Sequence, residues 1–209
     1  FFFKQKTAYE ISTRDWSSDV CSSDLAGARG TSDFGPRVAA IDAAIDERLE
    51  HLRHDPVAAR IFTTASHLGD WSLVWHLIGV ARGTTNDRRA AQAIALSALL
   101  GAESLIVNQG VKRLFRRERP TDSGDERFAV RTPSTSSFPS GHASAAAFAA
   151  TVLTTWDGKK SAPLWFGLAA VVGTSRAFVR IHHASDVIGG TVVGLGLGLL
   201  ARPLVKRLR

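Results

Sequence analysis

Ser137-Phe138-Pro139-Ser140-Gly141-His142-Ala143-Ser144 is the stretch on which the reading of this chain turns. Pro139 halts whatever element precedes it and Ser140 suits an N-cap, so Gly141 and His142 fall in the first turn of an Ala-rich helix. The first N–H groups of a helix lack intrahelical acceptors, and this helix start is therefore predicted to receive an anion. A histidine there is placed to give a proton to a bound oxyanion, the work of a general acid. Pro-Ser-Gly is also ordinary turn chemistry, and the octapeptide alone does not separate the two readings.

Two further blocks do. Upstream stand Lys112 and, after six residues, Arg119-Pro120; downstream stand Ser175-Arg176, then His182 after five residues and Asp186 after three more. In that order the three blocks resemble the signature of the type 2 phosphatidic acid phosphatase and vanadium haloperoxidase superfamily. The resemblance runs from about Ala58 to the C-terminus. It implies an all-α, multi-span transmembrane helical bundle and a bacterial membrane phosphatase that hydrolyses a lipid phosphomonoester or pyrophosphate, of the phosphatidic acid or polyprenyl diphosphate type. His182 is implied to attack phosphorus and form a phosphohistidine, with Asp186 orienting it and His142 protonating the leaving oxygen, then activating water. Lys112, Arg119, Ser140, Gly141 and Arg176 are implied as phosphate ligands, with no metal and no cofactor. A vanadate-dependent haloperoxidase, a soluble acid phosphatase and a lipid-phosphate binding protein without activity are the alternatives.

The residues themselves agree with phosphoryl chemistry. Fixed cations stabilise the charge on a transferring phosphoryl group, Arg through a bidentate fork and Lys as a point charge. Lys112 and Arg119 share a helix face if the helix persists to Pro120, whereas Arg113, Arg116 and Arg117 are expected to be solvated. His182 and Asp186, four apart, suit a carboxylate–imidazole hydrogen bond on a helix. Spacing alone leaves His183 equally eligible, being seven residues from Arg176; the resemblance selects His182. Asp186 also follows Ser185 ahead of an apolar run and has a second possible role as an N-cap.

Five apolar segments are predicted, roughly Ile61–Ala81, Ala90–Val111, His142–Trp156, Pro163–Val179 and Val187–Leu204. Each is near or under the ~20 residues of a spanning helix. The mean hydropathy is only +0.01, so a soluble helical bundle is the competing reading. Gly190, Gly194 and Gly198 form a stripe that costs stability in water and permits close helix contact in lipid, which favours the membrane. If the segments alternate in direction, Lys112, His142, Arg176 to His182 and Asp186 share one membrane face. Basic residues in Arg82–Arg89, Lys159-Lys160 and Arg202–Arg209 then stand at the other, which suits the cytoplasm and puts the site on the extracytoplasmic side. Asp70, His76 and Glu103, ionisable residues inside the segments, are expected to be paired and structural, and the Thr121–Thr135 loop to shape substrate entry.

Ahead of these segments, Pro36–His54 repeats Val38, Ile41, Ile45, Leu49 and Leu52 at helical spacing, an amphipathic helix suited equally to the membrane interface or to packing. Residues 1–25 back-translate to a sequencing-library adapter and are set aside as an artefact on a truncated gene. The expected organisation is thus 26–56, amphipathic helix and linker, and 57–209, the phosphatase domain. The full chain has 26 Lys and Arg against 19 Asp and Glu; without the first 25 residues, 23 basic and 15 acidic remain, a net charge of +8. That balance suits a membrane surface or phosphorylated substrate, and the aromatic interleaving of a nucleic-acid binder is missing. Cys21 is the only cysteine and lies in the adapter-like stretch, so cysteine chemistry is not expected.

Overall fold

A computed structural model describes residues 34–121, 125–133 and 135–209. The adapter-like stretch lies outside the described residues. Seven α-helices occur among them: α1 (Pro36–Arg53), α2 (Pro56–Gly69), α3 (Leu73–Gly83), α4 (Asp87–Leu105), α5 (Gly141–Asp157), α6 (Ala162–Phe178) and α7 (Ala184–Lys206). Local chemistry sets several starts. Asp55 accepts from the N–H groups of Val57 and Ala58 at 2.7 and 2.9 Å, and Asn86 caps α4 through the Arg89 N–H at 2.9 Å.

α5 is the central pillar. Its small and apolar residues from Ala143 to Leu153 are buried all round, against α7, α6 and α4. The glycine stripe explains how close α7 comes: a Cβ on Gly190 would lie 2.3 Å from the Ser140 carbonyl oxygen, and one on Gly194 would lie 2.1 Å from that of Ser144. The other face of α7 shows Ile188, Val192, Leu199 and Leu200, and α4 with the turn that continues it shows Ile94, Leu105 and Ile106. These outward apolar side chains belong to the two helical stretches that, among the described residues, are long and apolar enough to cross a membrane, Asp87–Leu114 (28 residues) and Ala184–Lys206 (23 residues). α5 and α6, 17 residues each, are about 25 Å long, close to the hydrocarbon thickness.

The first apolar segment is not one helix. The chain breaks at Asp70–Ser72, where Trp71 and Ser72 adopt left-handed φ values of 55° and 59°. Such a conformation costs a non-glycine residue about 1–2 kcal/mol. It turns Asp70 toward the start of α5, where it meets His142. α4 continues through a π-helical turn (Ile106–Gly110) and a 3-10 turn ending at Leu114, and Phe115 is extended. Lys112 and Arg119 therefore do not share a helix face, as the spacing had suggested. Phe115 instead packs on Phe34 and Phe138, and Arg117 bonds through its N–H to Ser136 Oγ and through its carbonyl to the Ser137 N–H, knitting this strand of loop to the segment ahead of α5.

α1 packs on the protein through both its apolar stripe and its charges: Leu49 and Ile45 join the apolar cluster around Phe178 and Ile181, and ion pairs flank them. Arg53, buried, donates to the Phe178 and Ala177 carbonyls at 2.7 and 3.0 Å, satisfying the last turn of α6. Arg180 bridges Asp46 and Glu50, and Arg127 joins Glu50 from the loop. At the other end of the bundle Arg82 forms a two-pronged pair with Asp157, and Gln92 donates to the Leu208 carbonyl, gathering both interhelical turns and the end of α7.

Candidate active site

The ends of α4, α6 and the starts of α5 and α7 bring the predicted residues to one end of the bundle. Lys112 is buried and reaches Thr135 Oγ1 at 3.4 Å. Arg119 is clamped by three backbone carbonyls, those of Pro133, Ile181 and Thr135, at 2.9–3.1 Å. One of its Nη1 contacts is His182 Nε2, at 3.3 Å. Arg176, 1% exposed, donates through Nη1 to Ser66 Oγ and stands 3.9 Å from Asp70.

His182 lies in the short segment between α6 and α7. Its Nδ1 is 3.5 Å from Asp186 Oδ2 and 3.3 Å from Ser137 Oγ. Nδ1 is thus tied to the carboxylate side, and Nε2 faces the cations. Burial pushes the imidazole well below its ordinary value; the Asp186 hydrogen bond opposes this and nearby Arg119 and Lys112 reinforce it. A ring held toward its neutral form in this way keeps a lone pair on Nε2. Across the pocket His142 Nε2 meets Asp70 Oδ1 at 3.0 Å.

Ser140 occupies the N-cap position of α5, yet its hydroxyl makes no capping bond, in contrast to expectation. Its Oγ is buried without a partner among the described residues, as are Nε and Nη2 of Arg176. Buried donors of this kind are costly unless something accepts from them, and an oxyanion does. Gly141 lies next to Asn108, whose Oδ1 would be 3.3 Å from a Cβ at that position.

Asp186 caps α7 from within its first turn, as the N3 member of a capping box, rather than from the N-cap position. The N-cap is His183, and Asp186, at N3, accepts from the His183 N–H at 2.8 Å, which gives His183 a structural place. The Ser137 hydroxyl donates to the same oxygen at 2.5 Å. The other oxygen receives Arg117, which is 5% exposed rather than solvated. Arg117 also donates to Ser185 Oγ and, at 2.7 Å, to Asp42 of α1, and Asp42 in turn accepts from the Ser185 N–H at 2.8 Å. Arg113 and Arg116 are exposed, as expected. Glu103, buried on α4, accepts from the Ser144 hydroxyl of α5, a structural pairing between helices. Among the described residues no group of three His, Cys, Asp or Glu side chains is arranged to hold a metal ion.

Residues 91–209 match the sequence profile of the PAP2 superfamily. The chain belongs to the PAP2 superfamily. It is 34% identical over 127 residues to a decaprenylphosphoryl-5-phosphoribose phosphatase of Mycolicibacterium smegmatis, covering 60% of this chain and 67% of that one. It is 28% identical over 184 residues to phosphatidylglycerophosphatase B of Bacillus subtilis, covering 82% and 87%. In fold it is similar to the crystal structure of a transmembrane PAP2-type phosphatidylglycerolphosphate phosphatase from Bacillus subtilis, with a TM-score of 0.65, 24% identity and coverage of 84% and 90%. This PAP2 chain is an integral membrane phosphatase. Asp42, Ser66 and Asp70, all in contact with the PAP2 site residues, lie ahead of the matched region. Their partners are 72 to 110 residues away in sequence; Asp70 stood out as an ionisable residue inside an apolar segment, whereas nothing in the local pattern announced Asp42 or Ser66.

Proposed function

We propose that the chain hydrolyses a lipid phosphomonoester or pyrophosphate through a phosphohistidine, at the extracytoplasmic face of the membrane. The observation that carries this reading is the placing of His182, with Nδ1 on the Asp186 side and Nε2 toward Arg119, beside buried donors of Ser140 and Arg176 that lack partners. Nε2 attacks phosphorus while the P–O bond to the leaving alcohol breaks, and His142 gives that oxygen its proton. Asp186 holds the charge that builds on the ring. His142, now unprotonated, takes a proton from water, whose oxygen attacks phosphorus and releases inorganic phosphate and free His182. Lys112, Arg119, Arg176, Ser140 and the Gly141 N–H balance the charge on the phosphoryl oxygens. The names of the relatives support a lipid carrier for the phosphate. The basic residues gathered around Arg82, Arg88, Arg89 and Arg209 at the opposite end support the proposed orientation.

The test is phosphate release by detergent-solubilised protein, with chelator present, from phosphatidic acid, phosphatidylglycerol phosphate and polyprenyl diphosphate. His182→Ala is expected to lower turnover at least about a thousandfold. Turnover by that variant close to the parent's would sink the nucleophile assignment, and bound vanadate with halide oxidation would move the chain to haloperoxidase chemistry.

A further inference from the structure

A groove of about 420 Å³ opens from the catalytic end between α3 and α4, floored by α5. It starts at Lys112, His182 and His142 and runs past Asn108, Ser104, Glu103 and Asp70 to His76 and Ser97. Ser97 lies near the middle of the 28-residue Asp87–Leu114 span. Hydrogen bonds among the described residues use one polar atom each of His76 and Ser97, of Asn108 and Ser104, of Glu103, and of Asp70. The second imidazole nitrogen, Asn108 Oδ1 and one carboxylate oxygen each of Asp70 and Glu103 remain. Lipid tails offer such groups nothing, and polar side chains at membrane depth mark the path of a polar ligand.

The groove also has a chemical direction. In-line displacement puts the leaving group opposite His182, and His142, the proposed proton donor to that group, stands where the groove begins. We infer that this groove is the leaving-group subsite and takes a polyhydroxyl alcohol, a glycerol or sugar unit standing between the scissile phosphate and the lipid. The inference rests on the roles assigned above to His182 and His142. The lining discriminates in three ways. Hydroxyls satisfy both the donors and the acceptors left along the wall; the chains of a diacylglycerol satisfy neither; the second phosphate of a diphosphate, joined directly to the scissile one, meets the Asp70 carboxyl beside His142, whereas polyol-spaced substrates carry their second phosphate a glycerol or sugar unit further on. Trp71, with Arg131 5.2 Å over its ring, lies at the mouth.

The experiment compares kcat/KM for phosphatidylglycerol phosphate, a polyprenyl-phosphoryl pentose phosphate, phosphatidic acid and polyprenyl diphosphate in mixed micelles, with His182→Ala as the chemical control. Gly101 lines the groove, and a Cβ there meets nothing within 4 Å, so Gly101→Leu fills the groove without a clash in the fold. At least one polyol-spaced substrate is expected to exceed the other two by about tenfold or more, since a site built for hydroxyls rejects analogues lacking them. Which of the two leads separates glycerol from sugar. Gly101→Leu, and His76→Leu as a second variant, each checked for monodispersity in detergent, are expected to cut that preference about tenfold. Equal use of phosphatidic acid by the parent, or parallel losses on every substrate in both folded variants, would overturn the subsite while leaving the phosphatase reading intact. No histidine-dependent release from any lipid would overturn both.

Discussion

Asp186 receives hydrogen bonds from Arg117, Ser137 and the His183 backbone, and these fix a carboxylate that would otherwise rotate beside His182. On the proposed mechanism Arg117 is a positioning residue: it touches the Asp186 carboxylate, not the proposed nucleophile, and is itself held by Asp42. Arg117→Ala is therefore expected to lower kcat about ten- to a hundredfold with little change in KM, as loss of an orienting partner does. Arg117→Lys should restore only part, because one ammonium cannot span Asp186, Ser185 and Asp42 together. A rise in KM with kcat intact would instead make Arg117 a phosphate ligand. The depressed His182 value gives a pH prediction. Its neutral, attacking form dominates above its own lowered pKa, so acidification through the ordinary histidine range leaves the nucleophile in place. The acid limb of kcat/KM, corrected for substrate titration, should fall below about pH 5, and a limb near the ordinary ~6.5 would show a solvated ring. The gathering of His182, His142 and Lys112 at one end of the bundle was legible from motif spacing and segment order. Arg117 was not, because it looks like its exposed neighbours Arg113 and Arg116 until partners 69 and 75 residues away are in place.

Among the elements, α1 and α7 make the plainest demands. α1 is stapled by Glu50, whose carboxyl is pushed down to about 2 chiefly by its bonds to Arg127 and Arg53, against a small desolvation cost. Because the folded value lies below the unfolded one, this stabilisation is complete above about pH 4.5 and is lost as pH falls toward 2. Glu50→Gln should narrow the stability gap between pH 6 and pH 3, read as Tm in detergent; an unchanged gap would mean the staple forms only weakly in solution. In α7, any Cβ at Gly194 would enter the Ser144 backbone, where no flexible side chain can yield. Gly194→Leu should cost at least about 2 kcal/mol, whereas Gly196→Leu, in open space, should be tolerated. The helix pattern was readable from hydrophobic runs and the glycine stripe. The break at Trp71 was not, since two left-handed non-glycine residues carry no compositional mark, and neither was the end of the helix at Leu114 short of Pro120.

At the scale of the whole molecule the two ends of the bundle differ in what their charges do. At the catalytic end Arg117, Arg119, Arg176 and Arg180 are engaged by carboxylates, carbonyls or the site itself. At the other end Lys159 and Lys160 are exposed, next to the turn closed by Arg82 and Asp157. Lys and Arg free in short loops are what retains a segment in the cytoplasm; exposed Lys159 and Lys160 support the proposed orientation, and exposed Arg113 and Arg116 at the catalytic end count against it, so the charges do not decide it and labelling does. The composition makes this testable, because Cys21 is the only cysteine. In a Cys21→Ser background, Glu126→Cys reports the catalytic end and Lys159→Cys the opposite one, both at exposed positions. A membrane-impermeant maleimide added to intact bacterial cells should label Glu126→Cys at once and Lys159→Cys only after lysis. The reverse pattern would put phosphate release in the cytoplasm, and the lipid carrying that phosphate would then have to be presented from the inner leaflet.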